Sequence, residues 1–398
     1  MNEDKSTRYN RRKRLARLGS LVWRVLLLAG LVLSGGSAIL RSVAGEAAAP
    51  APAFLQRGIE AALFTGLLLL LVGSVDLPIA FYDFALERRY GLSIQPVGRW
   101  LADQAKALAI QLIFGTAAAT TVYFFIRRFP DSWWLPAGIV FTLITCGLAT
   151  FLPVLLLPLF YRVRPLDRES LRARLVSLAD RAGARVLGVY EWGLSDKTRA
   201  ANAALTGLGR TRRILVSDTM LADYSEEEIE IVLAHELAHH VHGDLWRTLV
   251  LESALILSGL YLSAQALRVL GPVAGLRGPD DLAGLPIVIL AAGAASLVGI
   301  PAAYAISREH ERRADRFALA LTKNPAAFIS AMRRLGAQNL AEDRPSRLVQ
   351  WLFYSHPPIR ERIAAAESFA GEHHAARPAA SGSPAPAVLS GRQLKADR

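Results

Sequence analysis

The chain has 398 residues, 52% of them hydrophobic, with a formal net charge of +12, a mean hydropathy of +0.28 and one cysteine, Cys146. That length allows two or three ordinary domains. So apolar a composition excludes a simple soluble protein, and the lone cysteine excludes an internal disulfide or a cysteine-based metal site. The positive charge does not mark nucleic-acid binding. No basic patch is interleaved with aromatics, and seven basic residues (Lys5, Arg8, Arg11, Arg12, Lys13, Arg14, Arg17) precede the first apolar run, where membrane proteins concentrate them.

In chain order, a basic tail (1–17) leads into four apolar runs at about 18–40, 59–81, 105–126 and 135–160. Each approaches the ~20 residues that cross a bilayer as helix. The start of the first run, with the small residues Ala44–Ala49 after it, also fits a cleaved leader, but the run is long for one. The Ala/Pro stretch Ala47–Ala53 reads as an extended linker. Residues 161–245 form a polar segment, with a helix over Leu171–Ala184 and strands at Val186–Trp192, Ala200–Thr206 and Arg213–Ser217, turned at Gly207 and Gly209. Two more spans follow at about 246–270 and 284–306, then a mostly helical part, 307–369. The Ala/Pro/Ser/Gly-rich tail, 370–398, has the composition of a disordered segment. Lys and Arg are dense in the N-terminal tail, in 82–104, in 161–245 and after 307, and sparse in 41–58, 127–134 and 271–283. This alternation through six spans predicts that both termini and the polar segments are cytoplasmic.

The chemistry is concentrated at Ser225–His240. Ser225 followed by Glu228 is a capping box, and acidic residues in the first turn suit the helix dipole, so a helix starts here. On it His235 and His239 lie one turn apart on one face, which lets both imidazoles reach a single tetrahedral zinc ion. Glu236 sits beside them as the base of an HExxH arrangement. Four of the eight histidines fall within His235–His242. A catalytic zinc needs a third protein ligand and an open position. His242 and Leu245 occupy the positions where a Gly and a third His would follow, so that solution fails. Just past the sixth span, Glu311 and Asp315 are again one turn apart. Glu311 completes a set of two histidines and a carboxylate, and Asp315 is placed to accept the remaining ring N–H of a ligand histidine. The competing reading is a solvated helix in which Arg308, Arg312, Arg313 and Arg316 partner these acids.

HExxH followed by Ser307-Arg-x-x-Glu311-x-x-Ala-Asp315 resembles the membrane gluzincins of the zinc CAAX prenyl endopeptidase type. Ala201-Asn202-Ala203, Arg213-Ile-Leu-Val-Ser-Asp218-Thr219, Ser355-His356-Pro357-Pro358 and Glu87-x2-Tyr-Gly91-Leu-Ser…Trp100…Asp103…Lys106 are similar to further motifs of that family. The resemblance runs from about residue 80 to 368. It implies a mainly α, polytopic membrane bundle of about six spans with a small α+β gluzincin-like protease domain. It implies a single Zn2+ on His235, His239 and Glu311, with Glu236 as general base and Asp315 behind a ligand histidine. Asn202 and Ala203 would hold an extended polypeptide substrate, His356 would stabilise the oxyanion or position the substrate, and Arg362 would assist it. His240 and His242 are expected near the surface, and His310, His373 and His374 are expected to be incidental. The bilayer is the other partner, and the Ala/Arg/Leu-rich composition points to a bacterial inner membrane. A heat-shock-type quality-control protease, and a membrane scaffold or transporter with a structural zinc, are the alternatives. Glu252, inside the fifth span, is expected to face a polar chamber or a partner.

Overall fold

A computed structural model describes residues 4–207 and 212–375, apart from the side chains of 150–156 and 373–375; Gly209, the side chains of His373 and His374, and the tail from 376 therefore lie outside what is described. The N-terminal part is five helices, α1 (Lys5–Leu33), α2 (Gly36–Ala48), α3 (Ala53–Tyr90), α4 (Val97–Arg128) and α5 (Trp134–Phe160). The predicted first span is broken at Ser34–Gly35, where Gly35 adopts φ +72°, a left-handed conformation that glycine takes without steric cost. The chain then returns as α2, so the connector 41–58 is mostly helical, and only 49–52 separates α2 from α3. Ala is the best helix former, and the Ala-rich run to Ala48 continues the helix until Pro50 and Pro52.

The polar segment folds as β1 (Val163–Pro165), α6 (Glu169–Arg181), β2 (Gly188–Trp192), β3 (Ala203–Thr206), β4 (Arg213–Ser217), α7 (Asp218–Asp223) and α8 (Glu226–Val241). The strands form one sheet in the order β1-β2-β4-β3, with β2 and β4 parallel and the other pairs antiparallel. The expected strands are present, β2 and β3 with later starts and β4 with the expected bounds, and β1, too short to show a period, adds a fourth. Leu171, Leu175 and Leu178 of α6, Ile214 and Val216 of β4 and Ile229, Leu233 and Leu237 of α8 are buried together in one core.

α9 (Asp244–Val273), α10 (Leu285–Thr322), α11 (Pro325–Gln338), α12 (Arg347–Phe353) and α13 (Ile359–Ala375) complete the chain. Helical backbone thus continues to Ala375, past the predicted start of the tail. Among the described residues α1, α3, α4, α9 and α10 are long and apolar enough to cross a membrane; α5 covers the predicted fourth span, and its described apolar part, Trp134–Ala149, is shorter. Large apolar side chains such as Val250 and Val298 stand exposed on α9 and α10, as lipid-facing residues do and soluble surfaces avoid. At 38 residues, α10 is about 57 Å long. It crosses the apolar layer and still carries Glu311 and Asp315 beyond it.

The polar part is tied to the bundle at the loop after α3. Ser93 and Thr198 form an isolated bridge, the Thr198 hydroxyl donates to the Leu92 carbonyl at 2.8 Å, and Lys197 pairs with Asp103 of α4. These contacts give the Gly91-Leu-Ser…Asp103 stretch a structural role. Glu252 lines a cavity of ≈ 470 Å³ between α5, α9 and α10, with Thr145 and Ser296 as its other polar residues.

Candidate active site

The site forms where α8 and α10 pack side by side. At the start of α8 the Ser225 hydroxyl accepts the Glu228 amide, and the Glu228 carboxylate accepts the Ser225 amide at 2.8 Å, so the capping box predicted from sequence is present. The helix is mostly buried between Glu228 and Ala238, and Gly243 just beyond it, with φ +67°, reverses the chain into α9. That turn brings Asp244, the first residue of α9, back beneath His239.

His235, His239 and Glu311 converge. His235 Nε2 is 3.3 Å from His239 Nε2 and 3.2 Å from Glu311 Oε2, and His239 Nε2 is 3.4 Å from Glu311 Oε1. Bonds of 2.0–2.1 Å in a tetrahedral zinc site put ligand atoms about 3.3–3.4 Å apart, so this donor set has the spacing of one ion. Glu311 Oε2 is buried and, despite its nearness to two imidazoles, satisfies the hydrogen-bond geometry of neither. Two imidazole nitrogens facing each other beside an unsatisfied carboxylate oxygen have the chemistry of a cation's donor set, and the residues fit a metal.

Behind each imidazole stands a carboxylate. His235 Nδ1 is 2.9 Å from Asp315 Oδ1, and His239 Nδ1 is 3.0 Å from Asp244 Oδ2. A carboxylate on Nδ1 holds the proton there and leaves Nε2 free as a ligand. Asp244 is itself buried and accepts from Arg313 Nη2 at 2.8 Å, with His310 Nε2 3.7 Å away. His310, expected to be incidental, is buried in this cluster. Sequence reasoning missed Asp244; its place directly after His242-Gly243, at the head of a membrane helix, was the available signal.

Arg362 of α13 grips Asp315 with two bonds, Nε to Oδ2 at 2.8 Å and Nη2 to Oδ1 at 2.6 Å. Its guanidinium therefore backs the Asp315–His235 pair. His356 Nδ1 is 2.9 Å from Glu311 Oε2, and the ring is 62% exposed at the mouth of the site. Glu236 is on the same helix as the two histidines, and burial raises its pKa, which suits a base working near neutrality. In metal-free protein, burial and the Arg362 charge oppose protonation of His235, but the adjacent Asp315 and Glu311 carboxylates prevail and lift its pKa to about 9.

β3 is an edge strand packed beside α8. The Ser217 amide donates to the Asn202 carbonyl at 2.9 Å and the Asn202 amide to Ser217 Oγ at 3.0 Å, so the Asn202 backbone faces β4. Antiparallel pairs alternate, which turns the N–H and C=O of Ala203, opposite Val216, to the open side. The Asn202 side chain is exposed and Ala203 is buried.

An HExxH helix and a distant carboxylate with the donor spacing of one metal ion, set at the mouth of membrane-crossing helices, are the arrangement of a membrane-embedded metallopeptidase. Residues 165–370 match Peptidase family M48, and residues 2–162 match the CAAX prenyl protease N-terminal family of five membrane helices. The chain belongs to peptidase family M48 and is an integral-membrane metalloprotease. Uncharacterized metalloprotease YhfN of Bacillus subtilis is 31% identical over 326 residues, 79% of this chain and 76% of that protein. CAAX prenyl protease 1 of Saccharomyces cerevisiae is 29% identical over 336 residues, 76% of this chain and 71% of the yeast protein. The crystal structure of S. mikatae Ste24p shares the fold, with a TM-score of 0.78 at 24% identity, covering 91% of this chain and 87% of that one.

Proposed function

We propose that the chain is a zinc endopeptidase working at the cytoplasmic face of a bacterial inner membrane, with His235, His239 and Glu311 as ligands and Glu236 as general base. The observation that carries this reading is the triangle of His235, His239 and Glu311 donor atoms, each imidazole backed by its own carboxylate. Bound there, zinc would polarise a scissile carbonyl and acidify the attacking water. Glu236 takes the proton of that water and returns it to the leaving amine. Asp315 and Asp244 fix the tautomers of the two ligand histidines. Arg362 holds Asp315 in place by its two-pronged contact.

Substrate is read as an extended polypeptide added to the open edge of β3, a β-augmentation mode. Ala203 supplies the outward backbone groups and Asn202 its exposed amide. His356, at the rim and beside Glu311, orients the scissile bond or stabilises its oxyanion. The CAAX prenyl protease relatives suggest a C-terminal, CAAX-like substrate; a bacterial setting suggests membrane or misfolded polypeptides instead. Zinc-loaded protein should be incubated with a farnesylated peptide ending in a CAAX sequence, the same peptide without the lipid, and an unfolded membrane protein. Cleavage of the farnesylated peptide alone supports the first class, and preference for the unfolded protein supports the second. No cleavage of any of the three, with zinc bound, contradicts the peptidase reading.

A further inference from the structure

The N-terminal helix lies far from the catalytic motifs in sequence, yet its basic end reaches the segment that carries His356. Arg14 of α1 pairs with Glu342 and also donates from Nη1 to the Tyr354 hydroxyl at 2.9 Å. The Tyr354 hydroxyl donates to Glu342 Oε2 at 2.6 Å. The side chains of Arg14 and Glu342 are only 14% and 5% exposed. A buried pair of this kind costs desolvation that a surface pair does not, and breaking one side leaves the other charge uncompensated.

This triad meets Tyr354 at one end only. Its other end is held from α10: Arg308, buried and one turn before Glu311, donates from Nη1 to the Tyr354 carbonyl at 2.8 Å and to the Gln350 carbonyl at 3.2 Å. Tyr354 is thus pinned by ring and by backbone, two residues before His356. On the far side Pro357 and Pro358 fix φ and stiffen the chain. Between α11 and Glu342, Leu340 sits at φ +49°, a conformation that a branched side chain keeps only where its surroundings impose it. One such constraint is again α1: the Asn10 side chain donates to the Leu340 carbonyl at 2.7 Å. Glu342, Tyr354 and His356 line one cavity of ≈ 290 Å³ together with Asn339, Ile359 and Arg362.

We propose that α1 belongs to the catalytic apparatus, and that Arg14 is a positioning residue which sets His356 through Glu342 and Tyr354. The inference rests on His356 acting on the substrate, as proposed above. Without Arg14, Tyr354 loses a donor on its hydroxyl and Glu342 becomes an unpaired buried charge; the segment relaxes and His356 leaves its place beside Glu311. Zinc binding is untouched, because Arg14 contacts neither a metal ligand nor the carboxylates behind them.

The test uses the full chain in liposomes and whichever of the farnesylated peptide or the unfolded membrane protein the wild type cuts faster. Arg14→Gln, His356→Ala and the double variant are compared, with zinc content measured on each. The expected result is a fall in kcat of about ten- to a hundredfold for Arg14→Gln, with KM within about twofold and zinc unchanged. The double variant should be no slower than His356→Ala alone, since Arg14 acts only through that ring. Arg14→Lys, which keeps the charge, should recover part of the rate. Should Arg14→Gln fail to fold, Tyr354→Phe, which removes both hydroxyl bonds, must show the same pattern. Wild-type kcat in the Arg14 variant, or a loss that multiplies with that of His356→Ala, overturns the coupling. Wild-type kcat in His356→Ala overturns both the coupling and the proposed role of His356.

Discussion

Asp244 and Asp315 stand on His239 and His235 in the same way, and in the proposed site they are the residues on which metal affinity should depend after the proposed ligands themselves. Asp244→Asn or Asp315→Asn should weaken zinc binding about 10–100-fold, measured by competition with a chromogenic chelator; unchanged affinity in both would show that the contacts are incidental. Protons compete for the same site. Because neighbouring carboxylates raise the pKa of His235 to about 9, and that of His239 as well, in metal-free protein, protons must leave before an ion can bind. Apparent zinc affinity should therefore fall at least about tenfold per pH unit between roughly pH 8.5 and 6.5, and a flat profile in the same titration contradicts the assigned contacts. His235, His239, Glu311 and Asp315 were legible from sequence because helical spacing puts each pair on one face, so a four-residue interval already states the geometry. Asp244 was not, since its nearness to His239 depends on the left-handed turn at Gly243, which no periodicity reports. Arg362 was expected at the substrate, and its grip on Asp315 depends on the packing of α13 against α10, which lies outside any local pattern.

Among the elements, α8 carries the HExxH motif and its start is defined by chemistry that can be removed without touching the proposed site. Ser225→Ala should cost about 0.5–2 kcal/mol of stability, read by denaturant unfolding, while kcat for a cleaved peptide stays at the wild-type level. Loss of activity with stability intact would mean that the cap has a role in the site. The cap was legible because Ser-x-x-Glu before an apolar run is a local signal. So were β2, a Val/Tyr/Trp run closed by Gly193, β4, with Ile214 and Val216 two apart, and β3, which ends just before Gly207. β1 escaped because three residues cannot show a period of two, and it is held only by pairing with β2. α2 escaped because its first residues continue the first apolar run and its end runs into the Ala47–Ala53 stretch that reads as linker, whereas in the fold it is held against the turn before α10: the Ser37 hydroxyl donates to the Ala283 carbonyl at 2.6 Å, and Arg41 pairs with the buried Asp281.

At the scale of the whole molecule, the alternation of Lys- and Arg-rich connectors sets the proposed orientation. With Cys146, the chain's single cysteine, replaced by Ser, a maleimide that cannot cross membranes should label Glu46→Cys in intact cells and Asp180→Cys only after lysis; the reverse pattern overturns the sidedness. The class of fold was legible from hydropathy because span length is a property of the sequence alone. What hydropathy did not show is that α1 reaches residues more than 300 positions away, Glu342 among them, since nothing local marks an Arg14–Tyr354–Glu342 contact. The central claim, that two imidazoles and one distant carboxylate make this membrane protein a zinc hydrolase, is tested most directly by zinc content and peptide cleavage measured together on wild type, Glu236→Gln and Glu311→Ala. About one zinc per chain is expected in the wild type and in Glu236→Gln, cleavage in the wild type alone, and neither in Glu311→Ala. Wild-type protein without stoichiometric metal, full metal retained by Glu311→Ala, or undiminished cleavage by Glu236→Gln would contradict it.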